Sequence, residues 1–164
     1  MTELLVPTDA AVLPQVREWL SRPRGLFIGG TWTDAASGRT FATHDPATGQ
    51  VLTEVAHGEA VDVDRAVRAA RKAFEGEWSL WTPAQRQRLL FRIGEAIYEH
   101  AEELAQLEAL DNGKSAAVAQ AVDVTWVAEL FQYYAGWATK IEGRTIPVSV
   151  PWRSEEHTSE LQSH

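Results

Sequence analysis

Apolar and polar residues alternate in short runs through the first third of the chain and then recur every three or four positions, a change of period that predicts hairpins followed by helices. Leu26-Phe27-Ile28, Gly29-Gly30 and Thr31-Trp32-Thr33 read as strand, tight turn and strand, because paired glycines accept the positive φ of a two-residue hairpin. Residues 40–44 and 50–55 flank Asp45-Pro46-Ala47-Thr48-Gly49, a second hairpin with a longer loop. A phosphate-binding loop competes for Gly29-Gly30. It fails, since no GxGxxG or GxxxxGK[ST] follows and no helix begins after Gly30 to point its N-terminus at an anion.

The helical period starts with Val63, Ala66, Val67, Ala70 and Phe74, with Glu59, Asp62 and Asp64 in its first turn at the positive end of the helix dipole, and is stopped by Gly76. Thr82-Pro83 opens the next helix as cap and first residue, and Leu89, Leu90, Ile93 and Ile97 form its stripe. The phase shifts near Glu99-His100. Leu104 and Leu107 then belong to a shorter helix that delivers the chain to Asp111, where Asn112 or Gly113 can take the left-handed closing conformation. Ser115 is read as the cap of a long helix with Val118, Val122, Trp126, Leu130, Tyr133 and Trp137 along one face, ending at Glu142-Gly143. Residues 144–148 suit an extended edge segment. Ahead of the hairpins, a short helix over 12–20, interrupted near its start by Pro14, lies in a leader arm of residues 1–24.

Composition narrows the function classes. A chain of 164 residues with 45% hydrophobic content can build one core, and a net charge of -8 without a basic cluster gives no footprint for nucleic acid or an anionic membrane. Arg65, Arg68, Arg71 and Lys72 read more simply as a solvated helix face than as an anion site. The absence of cysteine excludes disulfides, thiolate metal sites and a thiol nucleophile. No apolar run approaches the roughly 20 residues that span a bilayer, and Glu3 and Asp9 stand where a signal peptide would be basic and then apolar, so a cytoplasmic location is expected. His44 and His57 are isolated beside strands, without carboxylates or cysteines at ligand spacing, and read as ordinary polar positions.

The wording of several stretches carries more than its periodicity. LEALDNGK, followed by QYYAGWATKIEGRTIPV, resembles the N-terminal third of the aldehyde dehydrogenase superfamily, and FIGGTWTDAASGRTFATHDPATGQVLTEVAHGEAVDVDRAVRAARKAF resembles its opening hairpins and first helix, in the same order. The resemblance runs over residues 26–150, roughly three quarters of the chain. It implies an α/β fold of which this chain holds the N-terminal part: two β-hairpins, amphipathic helices and the first oligomerisation strand, with the parallel nucleotide-binding sheet largely missing. Residues 25–150 would then be an incomplete cofactor-binding domain. Residues 153–164 have no counterpart in the family and resemble the translation of a sequencing adapter, so 151–164 is read as an artefactual or disordered tail.

By the same resemblance, the parent protein oxidises aldehydes to carboxylic acids with NAD or NADP, through a cysteine thiolate that attacks the carbonyl. This chain has no cysteine and lacks the downstream oxyanion and adenosine-binding motifs, so no catalytic or cofactor-binding residue and no bound cofactor are expected in it. The aldehyde belongs to the full-length parent, which is expected to be a homo-oligomer; no nucleic acid or membrane partner is indicated. One site carries over: a monovalent cation near Asp111 and the backbone around Thr43 and His44, since hard oxygen ligands suit such an ion. The competing reading makes Asp111 a helix-end residue that bonds its own turn. A different class of function also remains open, a non-catalytic module that docks onto dehydrogenase subunits through its helix faces and the 144–148 edge.

Overall fold

The structure, a computed structural model, describes residues 12–143. Helix α1 (Pro14–Leu20) precedes two antiparallel hairpins, β1 (Leu26–Ile28) with β2 (Thr31–Thr33) and β3 (Thr40–His44) with β4 (Val51–Ala56). Helices α2 (Ala60–Glu75), α3 (Glu77–Leu80), α4 (Pro83–Glu99) and α5 (Ala101–Asn112) follow. The last helical stretch runs through α6 (Ala116–Val118), a π-helix (Ala119–Val124) and α7 (Thr125–Trp137). Both expected hairpins form, as does the run of helices after them.

Local chemistry accounts for most boundaries. The first hairpin pairs Leu26 with Thr33 and Ile28 with Thr31 across Gly29 and Gly30, whose φ values of 62° and 85° match the twist of the strands. Thr82 caps α4 by accepting the Gln85 N–H, and the Gln85 side chain returns the bond to the Thr82 N–H, with Pro83 at the first helical position. Arg24 joins the two hairpins: its N–H donates to Glu54 O and its carbonyl accepts from the Ala56 N–H, each at 2.8 Å. Its guanidinium donates to the Trp19 carbonyl at the end of α1 and lies 3.8 Å over the Trp19 ring.

Asp62 is buried and binds three ways at the start of α2. Its carboxylate accepts from the Glu59 N–H at 3.1 Å, the Ala36 N–H at 3.0 Å and the Arg65 guanidinium at 3.2 Å, so one side chain fastens the 35–38 turn to the helix. The Glu59 N–H is the main influence holding this carboxyl below the usual carboxylate range, against the opposing effect of burial and with help from Ala36 and Arg65.

Several expectations need correction. Pro14 starts α1 rather than interrupting it, because the first helical position has no N–H bond to lose. Val16 and Leu20, placed by sequence in a leader arm, are buried in a cluster with Leu52 that Leu107 and Leu110 complete. Ser115 stands at the N-cap of α6 but makes no side-chain capping bond, and the long helix ends at Trp137 instead of Glu142-Gly143. The apolar stripe of that helix, Val122, Trp126, Leu130, Tyr133 and Trp137, is exposed, as a largely missing sheet would leave it, while Val124, Ala128 and Ala135 are buried. Helix α7 turns its small residues to α4, where Gly94 approaches so closely that a Cβ there would lie 2.9 Å from Gln132 Cγ and 3.0 Å from Ala128 O. Close backbone approach selects that face over the larger one. The stripe of α2 is likewise uncovered, with Val63, Val67 and Phe74 all exposed. Apart from the single Arg24–Val55 bridge, no parallel pairing occurs among the described residues, so no parallel sheet lies beneath these helices there. The edge segment 144–148 and the tail 151–164 lie outside the described residues.

Candidate functional site

The second hairpin slips register between Thr43 and His44: Thr43 pairs with Thr53, but His44 pairs with Val51. The residue left over is Leu52, and this is why Leu52 and Thr53, adjacent in a strand, are both buried. Leu52 enters the cluster of Val16, Leu20, Leu107 and Leu110 and so pins α5 to the hairpin. Thr53 donates its hydroxyl to the Arg22 carbonyl at 3.1 Å. The loop beyond the slip is held by buried Asp45, which accepts from the Ala47 N–H at 2.8 Å and the Thr48 hydroxyl at 2.9 Å.

Helix α5 closes onto that loop. Gly113 takes φ 81° and ψ 8°, its N–H donates to Ala109 O at 2.9 Å, and a Cβ on it would stand 2.9 Å from Pro46 Cγ. Asn112 Oδ1 accepts the Lys114 N–H at 3.0 Å, so the turn's own polar bond falls to Asn112. Asp111 is thereby left to reach outward, and its Oδ1 accepts the Thr43 hydroxyl at 3.1 Å across 68 residues of sequence. Of the three residues expected at a cation site, the structure thus joins Thr43 to Asp111. His44 follows on the exposed side of the slip, and no hydrogen bond ties it to Asp111 among the described residues. His57 packs its ring edge-on against Phe41 at 6.0 Å.

Sequence reasoning missed the other half of this junction. Lys114 Nζ donates to Asp123 Oδ2 at 2.6 Å and to Glu108 Oε1 at 2.9 Å, bracing the turn against α5 on one side and the π-helix on the other. These bonds, to Asp123 first and Glu108 second, raise the Lys114 ammonium above its ordinary pKa despite some burial. The signal was the charge order of Glu108, Lys114 and Asp123, which is unreadable until the π-turn brings Asp123 round. Among the described residues no three His, Cys, Asp or Glu side chains converge as a metal set. The oxygen set at the turn therefore centres on one carboxylate and one hydroxyl.

This arrangement of hairpins, helices and docked turn matches known proteins closely. The profile of the aldehyde dehydrogenase family fits residues 32–162. The chain belongs to that family. It is 50% identical over 123 residues to aldehyde dehydrogenase family 2 member B4, mitochondrial, of Arabidopsis thaliana, covering 74% of this chain and 23% of that protein. To the mitochondrial aldehyde dehydrogenase of Equus caballus it is 46% identical over 125 residues, with 75% and 25% covered. An aldehyde dehydrogenase from Bacillus cereus solved as its NAD+ complex superposes with a TM-score of 0.80 at 47% identity, over 84% of this chain and 28% of that one. The chain thus spans about a quarter of the length of these family members. The family match continues past Trp152 into the stretch read from sequence as an adapter-like tail.

Proposed function

We propose that this chain is the N-terminal portion of an NAD(P)-dependent oxidoreductase that converts aldehydes to carboxylic acids, and that by itself it is inactive. The observation that carries the proposal is the family match over residues 32–162 together with the absence of any cysteine from the 164 residues. Aldehyde oxidation of this kind requires a nucleophile to hold the carbonyl as a tetrahedral adduct, and the cofactor accepts the hydride. This portion supplies instead the docked α5 turn and the helices that pack around it. At that turn Asp111 and Thr43, with main-chain oxygens around Thr43 and His44, would hold a monovalent cation; the 3.1 Å approach of Thr43 Oγ1 to Asp111 Oδ1 supports this by placing two hard oxygens together. A cytoplasmic location, a homo-oligomeric parent and a boundary of the dehydrogenase segment near residue 150 belong to the same proposal.

The test has two arms. Purified chain incubated with aliphatic and aromatic aldehydes and NAD+ or NADP+ should form no reduced cofactor above a boiled control; turnover would overturn the claim of inactivity. Sequencing native DNA downstream of Trp152 should reveal a continuing frame with a cysteine codon. A stop codon there would favour the second reading, a non-catalytic module that docks onto dehydrogenase subunits, for which the exposed α2 and α7 faces speak.

A further inference from the structure

Asn112 is the only asparagine in the 164 residues, and a glycine follows it. That pair carries a covalent reaction of its own, which needs water and no partner. The main-chain nitrogen of Gly113 attacks Asn112 Cγ, the Cγ–Nδ2 bond breaks, and Nδ2 leaves as ammonia with the proton of the attacking amide. Water then opens the resulting succinimide ring at one carbonyl to give aspartate or at the other to give isoaspartate. Glycine at 113 sets no side chain beside the attacking nitrogen, whereas the glutamines of the chain would have to close a larger and slower ring.

The geometry points to Asn112 as a deamidation site gated by the last turn of α5. Asn112 is the final residue of that helix and is exposed to water. Three hydrogen bonds oppose ring closure. The Gly113 N–H donates to Ala109 O at 2.9 Å, Asn112 Nδ2 donates to Glu108 Oε1 at 3.2 Å, and Asn112 Oδ1 accepts the Lys114 N–H at 3.0 Å. Closing the ring also requires ψ at Asn112 to leave the helical range, so the turn must open before the nitrogen can attack. Two anchors from outside the turn keep it shut. Pro46 packs so closely that a Cβ on Gly113 would lie 2.9 Å from its Cγ, and Lys114 Nζ ties Glu108 at 2.9 Å to Asp123 at 2.6 Å. Either product loosens what protected its parent. Aspartate at 112 exchanges the Nδ2 donor for a negative charge that faces Glu108 at i,i+4 on the negative end of the helix, and isoaspartate adds a methylene to the main chain beside the cap.

The test incubates the folded chain, and the same chain in urea, at mildly alkaline pH. Isoaspartate is read by enzymatic methylation of its carboxylate, with ammonia release as a second measure and peptide mapping for position. Label should accumulate in the peptide that contains residue 112, at least about 10-fold more slowly in the folded chain than in urea, since opening comes first. Pro46→Ala and Lys114→Met each release one anchor; both should speed the folded reaction by the factor by which they speed exchange of the Gly113 amide, and both should leave the rate in urea nearly unchanged. Asn112→Asp should release no ammonia at this site and should speed Gly113 exchange about 2- to 5-fold, as one misplaced charge at a helix end does. An unlabelled folded chain, equal rates folded and in urea, or a folded rate that fails to follow Gly113 exchange across the variants would each overturn the inference.

Discussion

Replacing Gly113 with alanine tests the docking of the α5 turn on the second hairpin. Two separate costs arise there. The residue sits at φ 81°, where an L side chain costs about 1–2 kcal/mol, and the new Cβ would lie 2.9 Å from Pro46 Cγ, an overpacking that costs about 1–3 kcal/mol. The combined loss of about 2–5 kcal/mol corresponds to amide exchange in the last turn of α5 that is roughly 30- to 4000-fold faster, because each 1.4 kcal/mol is a factor of ten when local opening controls exchange. Gly30 isolates the first cost. Its φ is 85°, yet no atom lies within 4 Å of the Cβ position, so Gly30→Ala should accelerate exchange in the first hairpin only about 5- to 30-fold. Adding Pro46→Ala to Gly113→Ala should return part of the difference. Native-state hydrogen exchange followed by NMR reads all three. Equal effects at Gly113 and Gly30, or a double variant no better than Gly113→Ala alone, would refute the claim that Pro46 closes this turn.

Three further outcomes are expected. Asp62 has its carboxyl lowered in the folded state, so its contribution is fully present above the ordinary carboxylate range and is lost as pH falls through the folded value; urea midpoints measured from neutral to acid pH should drop less steeply for Asp62→Asn than for the unaltered chain, and parallel curves would show that Asp62 is not an acid-sensitive fastening. Because Val63, Val67, Phe74 and Leu80 remain exposed on α2 and α3, circular dichroism should report helix while the dye ANS binds strongly and thermal unfolding is broad; one sharp transition without dye binding would contradict the uncovered faces. Removing residues 153–164 should leave helix content and solubility unchanged, since a polar, aperiodic stretch buries too little surface to order itself; a loss of helix signal would show that those residues pack.

Where the cause of a feature lay within a few residues, sequence was enough. Gly29-Gly30 demanded positive φ, Thr82-Pro83 supplied a cap and a preset φ, and Gly113 closed a helix, so both hairpins and the run of helices were legible from patterning. The motif wording from Leu26 onwards carried the family as well. Tertiary structure alone decided which face of α7 is buried, because that helix is apolar on both sides, and the choice went to Ala128 and Ala135 through the closeness that Gly94 permits. Only the fold could show that Asp111 bonds Thr43 rather than its own turn, or that Lys114 lies between Glu108 and Asp123. Those contacts join residues distant in sequence, and they depend on a slipped strand at Leu52 and a π-turn at 119–124, neither of which leaves a periodic trace.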